Sequence, residues 1–507
     1  MKFLKKLVSK PFVIGTLILL QLALLLVFIY ELSNLILQAY FFLVILSLII
    51  VIYIINKNEN PSYKLSWAIL ILSVPIFGGI LYLIFGGKKI PKALRRDMVK
   101  SANEKTPYLI QDHKVLERIY QQDAQLYKQV NYLWRNVYFP VYRHTKTTYL
   151  SIGEDKFEKM KEELRKAEKF IFLEYFIIKE GIMWQSIEDI LIEKAKAGVD
   201  VRLIYDDFGS MNLPRNFSKR LRALGIKVFA FNPVRPVLAI RMNNRDHRKI
   251  CVVDGRVGFI GGINLADEYI NAIVRFGHWK DSAVMIEGEA VWSLSVMFLT
   301  FYNYLAKTDE DILKFKPEYP ELFDSDGYVQ PFSDSPTDDE NVGETAHMNM
   351  INMAKEYVYI QTPYLVIGYE FVSALTTAAK NGVDVRIMLP HIPDKWYVHA
   401  ITRSNYERLI RDGVKIFEYK PGFVHSKTMI SDDEAAIVGT TNMDYRSYYM
   451  HFECGIYFIE SRVVKDLKKD FEQTLDQCIE ITLEDCLRVN FFVRIGQAIL
   501  NLFSALL

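Results

Sequence analysis

The stretch AKAGVDVRLI at 195–204 returns as AKNGVDVRIM at 379–388, with seven of ten residues identical. Each copy carries the end of a helical pattern through a glycine into a run of aliphatic residues, the order of a helix feeding a strand. The flanks repeat as well. EKFIFLEYFII at 168–178 precedes the first copy as KEYVYIQTPYL at 355–365 precedes the second. LGIKVFAFNP at 224–233 follows the first, and DGVKIFEYKP at 412–421 follows the second. Glu168–Ile178 reads as a buried strand, Trp184–Ala197 as a helix and Val199–Tyr205 as the next strand. Helix–strand alternation in each copy predicts its own covered sheet, so the fold class is α/β, with two similar domains from an internal duplication.

A chemistry-bearing constellation follows in each copy. The first is HRKICVVDG, then GGIN: His247, Lys249, Asp254, Gly261, Gly262 and Asn264. The second is HSKTMISDD, then GTTN: His425, Lys427, Asp432, Gly439, Thr440 and Asn442. In both, Lys, Asp and Asn follow the His by two, seven and seventeen residues. One such histidine beside a strand is ordinarily structural; the repetition of every offset is not explained that way. Residues two apart on a strand share a face, so imidazole and ammonium converge with the Asn side chain and the Gly-rich turn. That set suits a tetrahedral phosphoryl group, with cationic and amide donors on the non-bridging oxygens and imidazole as nucleophile or proton carrier. Two facing copies supply one histidine to each side of the phosphorus.

Composition narrows the partners. The chain has 507 residues, half of them hydrophobic, with 62 Lys+Arg and 60 Asp+Glu. Residues 1–100 hold twelve basic and three acidic residues (+9), and the remainder 50 basic against 57 acidic (−7). A nucleic-acid partner is disfavoured, because its counterions are displaced by a basic globular face. The basic N-terminal part suits anionic membrane lipids instead. Cys251, Cys454, Cys478 and Cys486 form no CxxC pair or zinc-ligand spacing, so neither a disulfide framework nor structural zinc is expected.

Three apolar runs, Phe12–Tyr30, Leu35–Ile55 and Leu65–Phe85, lie ahead of the repeats. The last two are 21 residues long, or about 31 Å as helices, enough to cross a bilayer core. Lys2, Lys5, Lys6 and Lys10 precede the first, but no small-residue cleavage site follows it, so an uncleaved anchor is expected. Trp67, Tyr82, Lys88 and Lys89 mark the third as a membrane helix, while Pro75, Gly78 and Gly79 make it the run most prone to kink or re-enter. The basic tail and Lys88–Lys100 both favour the cytoplasmic side, which leaves two or three crossings open. Val489–Leu507 has the pattern of an amphipathic helix, lying in the interface or packed on the domain.

The paired motifs resemble the phospholipase D superfamily, whose signature is HxKxxxxD followed by a small-residue turn and Asn. Within it the sequence is similar to bacterial cardiolipin synthases. NPSYKLSWAILILSVPIFGGILYLIFGG at 60–87, LIYDDFGS at 203–210, RDHRKICVVDGRVGFIGGINLADEY at 245–269 and TTNMDYRSYYMHFE at 440–453 carry the likeness. His451 departs from it, standing where the family usually has Asn. The resemblance implies two phospholipase D-like domains at 131–306 and 342–488, preceded by N-terminal transmembrane helices in a membrane region at 1–100. It also implies a connecting segment at 101–130, an acidic linker at 307–341 and an amphipathic tail at 489–507.

As a catalytic set it implies His247 as nucleophile, His425 as acid and base, and Lys249 and Lys427 on the phosphoryl group. Asp254 and Asp432 complete the motifs, in the structural role of tying loops. Asn264, Asn442, Gly262 and Thr440 are expected as phosphate-binding positions. An acid orienting each imidazole is expected by the logic of base plus orienter, and Glu453 and Asp281 occupy similar places after the two motifs. Neither metal nor other cofactor is implied, the lysines serving in their place. The implied reaction is phosphatidyl transfer between two phosphatidylglycerol molecules, at the bacterial cell membrane in a multi-pass protein; the oligomeric state is open. A phospholipase D, a phosphatidylserine synthase and a non-enzymatic membrane scaffold are the rival readings. The remaining histidines (113, 144, 278, 347, 391, 399, 451) read as structural or surface residues.

Overall fold

The computed structural model describes residues 10–30, 34–86, 106–233, 244–319, 323 and 327–506. The basic tail at 2–6 and the stretch Lys88–Lys100 lie outside the described residues. The chain divides into two compact units: the N-terminal helices together with the last residues from Ile499, and the two α/β halves.

In the first unit, α1 (Lys10–Tyr30) and α2 (Asn34–Ile55) form over the first two apolar runs. The third run is not one helix. It breaks at Val74 into α3 (Pro61–Ser73) and α4 (Pro75–Phe85). Pro75 has no N–H to continue a helix and disfavours helical geometry in the residue before it, and Val74 accordingly leaves the helix at φ −133°, ψ 66°. The two pieces fold back on each other. A Cβ on Gly78 would come within 2.5 Å of Ile71 Cα, so only glycine allows the approach. Trp67 then meets Tyr82 edge-on at 5.3 Å, and Tyr63 Oη donates to Gly86 O at 3.0 Å.

At 13 and 11 residues, α3 and α4 span about 20 and 17 Å, against about 30 Å of bilayer core. Among the described residues no helix is long and apolar enough to cross a membrane. The transmembrane helices expected ahead of the α/β halves are therefore corrected to a unit of apolar helices, in which side chains such as Leu19, Leu26 and Phe42 stay exposed.

The second unit contains two sheets of matching topology. In the first half the strands are β1 (Thr145–Leu150), β2 (Phe170–Tyr175), β3 (Asp200–Asp206), β4 (Lys227–Phe231), β5 (Arg245–Asp246), β6 (Lys249–Val253), β7 (Val257–Gly261), β8 (His278–Lys280) and β9 (Ala283–Gly288). In the second they are β10 (Tyr328–Asp334), β11 (Tyr357–Gln361), β12 (Leu365–Val366), β13 (Asp384–Pro390), β14 (Lys415–Tyr419), β15 (Gly422–Val424), β16 (Thr428–Ser431), β17 (Ala435–Gly439), β18 (Met443–Asp444), β19 (His451–Ile459) and β20 (Cys478–Ile481). The first sheet runs β1-β9-β7-β6-β2-β3-β4, and the second β10-β19-β17-β16-β11-β13-β14-β20. Position by position the orders coincide, with β20 added at one edge. The stretch 307–341, expected as an acidic linker, thus supplies β10, which pairs antiparallel with β19.

Both faces of the first sheet are covered, which is why its strands read as unbroken apolar runs. Ile171, Leu173, Val201 and Leu203 face a core with Phe157 and Leu164 of α5 (Gly153–Lys166) and Trp184 and Leu191 of α6 (Ile182–Lys196). The alternate residues Phe170, Phe172 and Ile204 join Leu294, Phe298 and Phe301 of α7 (Val291–Ala306). This second core runs on into the other half through Val358, Ile430 and Ile456. The two motifs are consequently held by one continuous packed body.

Candidate active site

The motif histidines lie at the entrances to the equivalent strands β6 and β16. What fixes each is a short parallel pairing with the opposite half. Arg245 and Asp246 of β5 pair with His451 and Phe452 of β19, and His247 N then donates to Phe452 O at 2.9 Å. In the mirror arrangement β15 pairs with β8, and His425 N donates to Lys280 O at 2.7 Å. The residue after Phe452 is Glu453, and the residue after Lys280 is Asp281. Each acid thereby meets the imidazole of the other half. His247 Nδ1 lies 2.9 and 3.0 Å from the two oxygens of Glu453, and His425 Nδ1 lies 2.6 Å from Asp281 Oδ2. A carboxylate at Nδ1 makes that nitrogen the N–H and leaves the Nε2 lone pair for chemistry.

Both imidazoles are buried among rings. Phe176 lies edge-on to His247 at 5.0 Å, while Tyr269 and Trp279 each lie 5.4 Å from His425. Burial pushes the His247 imidazolium down to about 3, against the pull of Glu453, and His425 falls well below its ordinary value for the same reason. Both rings are therefore neutral near pH 7. The acids differ. Burial raises the Asp281 carboxyl to about 7, only partly offset by Lys427. Glu453 is also buried, but the facing His247 outweighs that and holds it below the carboxylate range. Lys249 and Lys427 are lowered by burial to about 8 and about 7, with Glu453 and Asp281 respectively pulling the other way. Each lysine Nζ donates to the carbonyl of its own motif histidine, which leaves further ammonium donors for an anion.

The remaining positions fall into three groups. Asp254 and Asp432 occupy left-handed turns (φ +51° and +58°) at the far ends of β6 and β16, roughly 20 Å along the strand from the histidines. Asp254 accepts backbone N–H bonds from Glu168, Lys169 and Phe170, all at 2.8 Å. Asp432 does the same for Lys355, Glu356 and Tyr357 at 2.8–2.9 Å. They pin the starts of β2 and β11, away from the reacting atoms. Gly262 and Thr440, expected at phosphate, serve the acids instead. A Cβ on Gly262 would fall 2.1 Å from Asp281 Oδ1, and Thr440 Oγ1 donates to Glu453 Oε2 at 2.5 Å.

Asn264 is also engaged. Its Oδ1 accepts from Ile177 N at 2.9 Å and its Nδ2 donates to Tyr269 Oη at 2.8 Å. Asn442 differs, since its buried Oδ1 has no hydrogen-bond partner. A network not singled out from sequence backs His247. Arg248 Nε donates to Asp246 Oδ1 at 2.9 Å, and its guanidinium pairs with Glu174 at 2.6 Å and lies over Phe301. Its one sequence signal was an arginine inside RDHRK, a position that a lone motif does not explain.

Residues 160–290 and 348–475 match the family described as "Cardiolipin synthase, PLD-like domain". The chain belongs to this family. Residues 45–87 match a second model, "Phospholipase_D-nuclease N-terminal". The chain is 45% identical to an uncharacterized protein of Streptococcus mutans over 85% of its length and 94% of that protein. It is 36% identical to a cardiolipin synthase of Geobacillus sp., over 91% of this chain and 92% of the relative. Among solved structures, the phosphatidylserine synthase of Haemophilus influenzae aligns with a TM-score of 0.57 at 14% identity, covering 73% of this chain and 95% of that one. That likeness concerns the fold. Family membership and the exposed apolar N-terminal unit make this a membrane-associated, phospholipid-handling enzyme.

Proposed function

We propose that this chain is a cardiolipin synthase, a phosphatidyltransferase that moves phosphatidyl from one phosphatidylglycerol to the terminal hydroxyl of another and releases glycerol. The crossed pairing of His247 with Glu453 and His425 with Asp281 carries the reading. It presents two neutral imidazoles, each with Nδ1 held and Nε2 available, inside one body.

His247 Nε2 attacks phosphorus and the bond to the headgroup oxygen breaks. Its partner Glu453 is ionised, and so it stabilises the positive charge that develops on the ring. The departing glycerol oxygen takes a proton from the other side. The His425–Asp281 pair is suited to supply it, because the raised Asp281 carboxyl retains a proton near pH 7 and donates it to Nδ1, which puts the neutral ring's own N–H on Nε2, facing the departing oxygen. The acceptor phosphatidylglycerol then enters, and its hydroxyl gives a proton back to the His425 pair as its oxygen attacks phosphorus. The bond to His247 breaks, and the products are cardiolipin and glycerol. Lys249 and Lys427 neutralise the non-bridging oxygens in both steps. The aromatic walls at Phe176, Tyr269 and Trp279 keep water from taking the acceptor's place. Anionic lipid at the bacterial cell membrane is the setting, with the exposed apolar side chains of α8 (Phe491–Leu502) lying in the interface.

Purified protein incubated with phosphatidylglycerol vesicles tests this. Cardiolipin and glycerol in equal amounts are expected. Phosphatidic acid as the main product would refute the transferase reading, and lipid binding without turnover would make the protein a scaffold.

A further inference from the structure

One histidine at the site is left idle by the phosphoryl chemistry. His451 opens β19, and its Nδ1 is buried without a hydrogen-bond partner, 3.7 Å from Glu453 Oε1. Its ring centroid is 5.5 Å from that of His247. One ligand-type atom from each of His247, His451 and Glu453 lies within 4.8 Å of the other two. This is also the position at which the sequence departs from its family's usual Asn. We propose that these three side chains form an inhibitory site for a divalent cation of the zinc class, which on binding withdraws His247 from catalysis.

The donor set decides the class of ion. Two imidazoles and one carboxylate, with a fourth position left to water, are a zinc-type ligand set, whereas magnesium and calcium take oxygen ligands. Metal–ligand bonds of about 2.0–2.2 Å place tetrahedral ligands roughly 3.3 Å apart. The present spread therefore closes by about 1.5 Å. His451 is the side chain that can move, because its buried ring nitrogen has no hydrogen bond to give up. On binding, the ring proton of His247 shifts from Nδ1 to Nε2 and the metal takes its place beside Glu453. The imidazole is then held by the ion, and Nε2, now an N–H, has no lone pair to offer phosphorus.

Lys249 faces the same imidazole and opposes a cation, so the site binds more weakly than a structural zinc site. Thr440 keeps its bond to Glu453 Oε2, which leaves Oε1 for the ion. The inhibition rests on His247 acting in the proposed reaction; the binding does not.

The test uses the full chain in detergent, freed of metal, titrated calorimetrically with zinc and spectroscopically with Co²⁺. One equivalent is expected to bind, and His451→Asn should weaken that affinity on the order of tenfold or more, as loss of a ligand requires. Phosphatidylglycerol turnover should fall over the same zinc range, recover with EDTA, and need proportionately more zinc in the variant. An unchanged zinc affinity in His451→Asn overturns the proposal. So does absence of binding up to millimolar zinc, or loss of binding in His399→Asn, which would move the ion to the separate cluster of His391, His399 and Glu418. His451-dependent zinc binding in a protein that makes no cardiolipin would uphold the site and overturn only the reading of the reaction.

Discussion

Glu453→Gln isolates the contribution of one half of the protein to the histidine of the other. In the native site Glu453 accepts from His247 Nδ1 at 2.9 and 3.0 Å and from Thr440 Oγ1 at 2.5 Å, and the group is fully buried. The glutamine is nearly isosteric but uncharged. It still offers one oxygen to Nδ1–H, yet no longer balances the positive charge that forms on the ring as phosphorus bonds to Nε2. A hydrogen bond to a charged partner contributes about 1.5–3 kcal/mol, and a buried site raises the electrostatic share. A loss of about 3–4 kcal/mol corresponds to roughly 10²–10³ in rate. The assay is single-turnover formation of labelled phosphohistidine from phosphatidylglycerol. In Glu453→Gln this step should slow by that factor, and an activated leaving group that needs no proton should not rescue it. Asp281→Asn should slow the same step with the natural substrate and regain much of the rate with the activated one. The double variant His247→Asn/Glu453→Gln should be no worse than His247→Asn alone, since the acid acts through that ring. Retention of phosphohistidine formation within tenfold of wild type in Glu453→Gln would refute the crossed-pair reasoning. Rescue of the wrong variant by the activated substrate would exchange the two histidines' roles.

Further outcomes follow from the same geometry. Asp254→Ala frees three backbone N–H groups bound at 2.8 Å. It should cost about 2–4 kcal/mol of stability and several degrees in Tm by calorimetry, while turnover per folded molecule stays within a few-fold. Gly262→Ala places a Cβ 2.1 Å from Asp281 Oδ1 and should lower turnover far more than stability, as read by paired rate and melting measurements. The Asp281 carboxyl is raised to about 7, so the pair with His425 loses its proton as pH rises through that value. Activity should decline above about pH 7, and Asp281→Asn should abolish that limb. His247 is lowered to about 3 by burial, so between that value and the unfolded histidine's ordinary value near 6.5 the unfolded chain binds the extra proton. Stability should accordingly rise with pH up to about 6.5, and a His247→Asn denaturation series should lose this component of the slope. Phe491 and Phe492 expose 68% and 78% of their surface. Replacing both with Ser should weaken co-sedimentation with anionic vesicles by tenfold or more, at about 1.5–3 kcal/mol per inserted ring.

By itself the sequence determined the duplicated α/β order, the two histidine–lysine motifs and the pair of acids, because these are written in local spacing. Strand alternation and repeat period act over tens of residues, and the coincident sheet orders answer to them directly. Local chemistry also marked the weak point of the third apolar run. Pro75 removes a helix donor and Gly78 admits the returning helix, but the full break into two short helices appears only once α3 and α4 pack. Which acid serves which histidine was not legible. Glu453 and Asp281 stand at similar distances after their own motifs, and those distances are the same whether the pairs form within a half or across. The choice rests on β5 against β19 and β8 against β15, pairings between residues far apart in the chain and only two or three residues long, too short for any periodic signal. The same long-range closure put Thr440 on Glu453, left Gly262 as clearance for Asp281, and brought His451 beside His247. Tertiary structure decided these because backbone hydrogen bonds between distant edges, rather than side-chain patterning, set where each carboxylate ends.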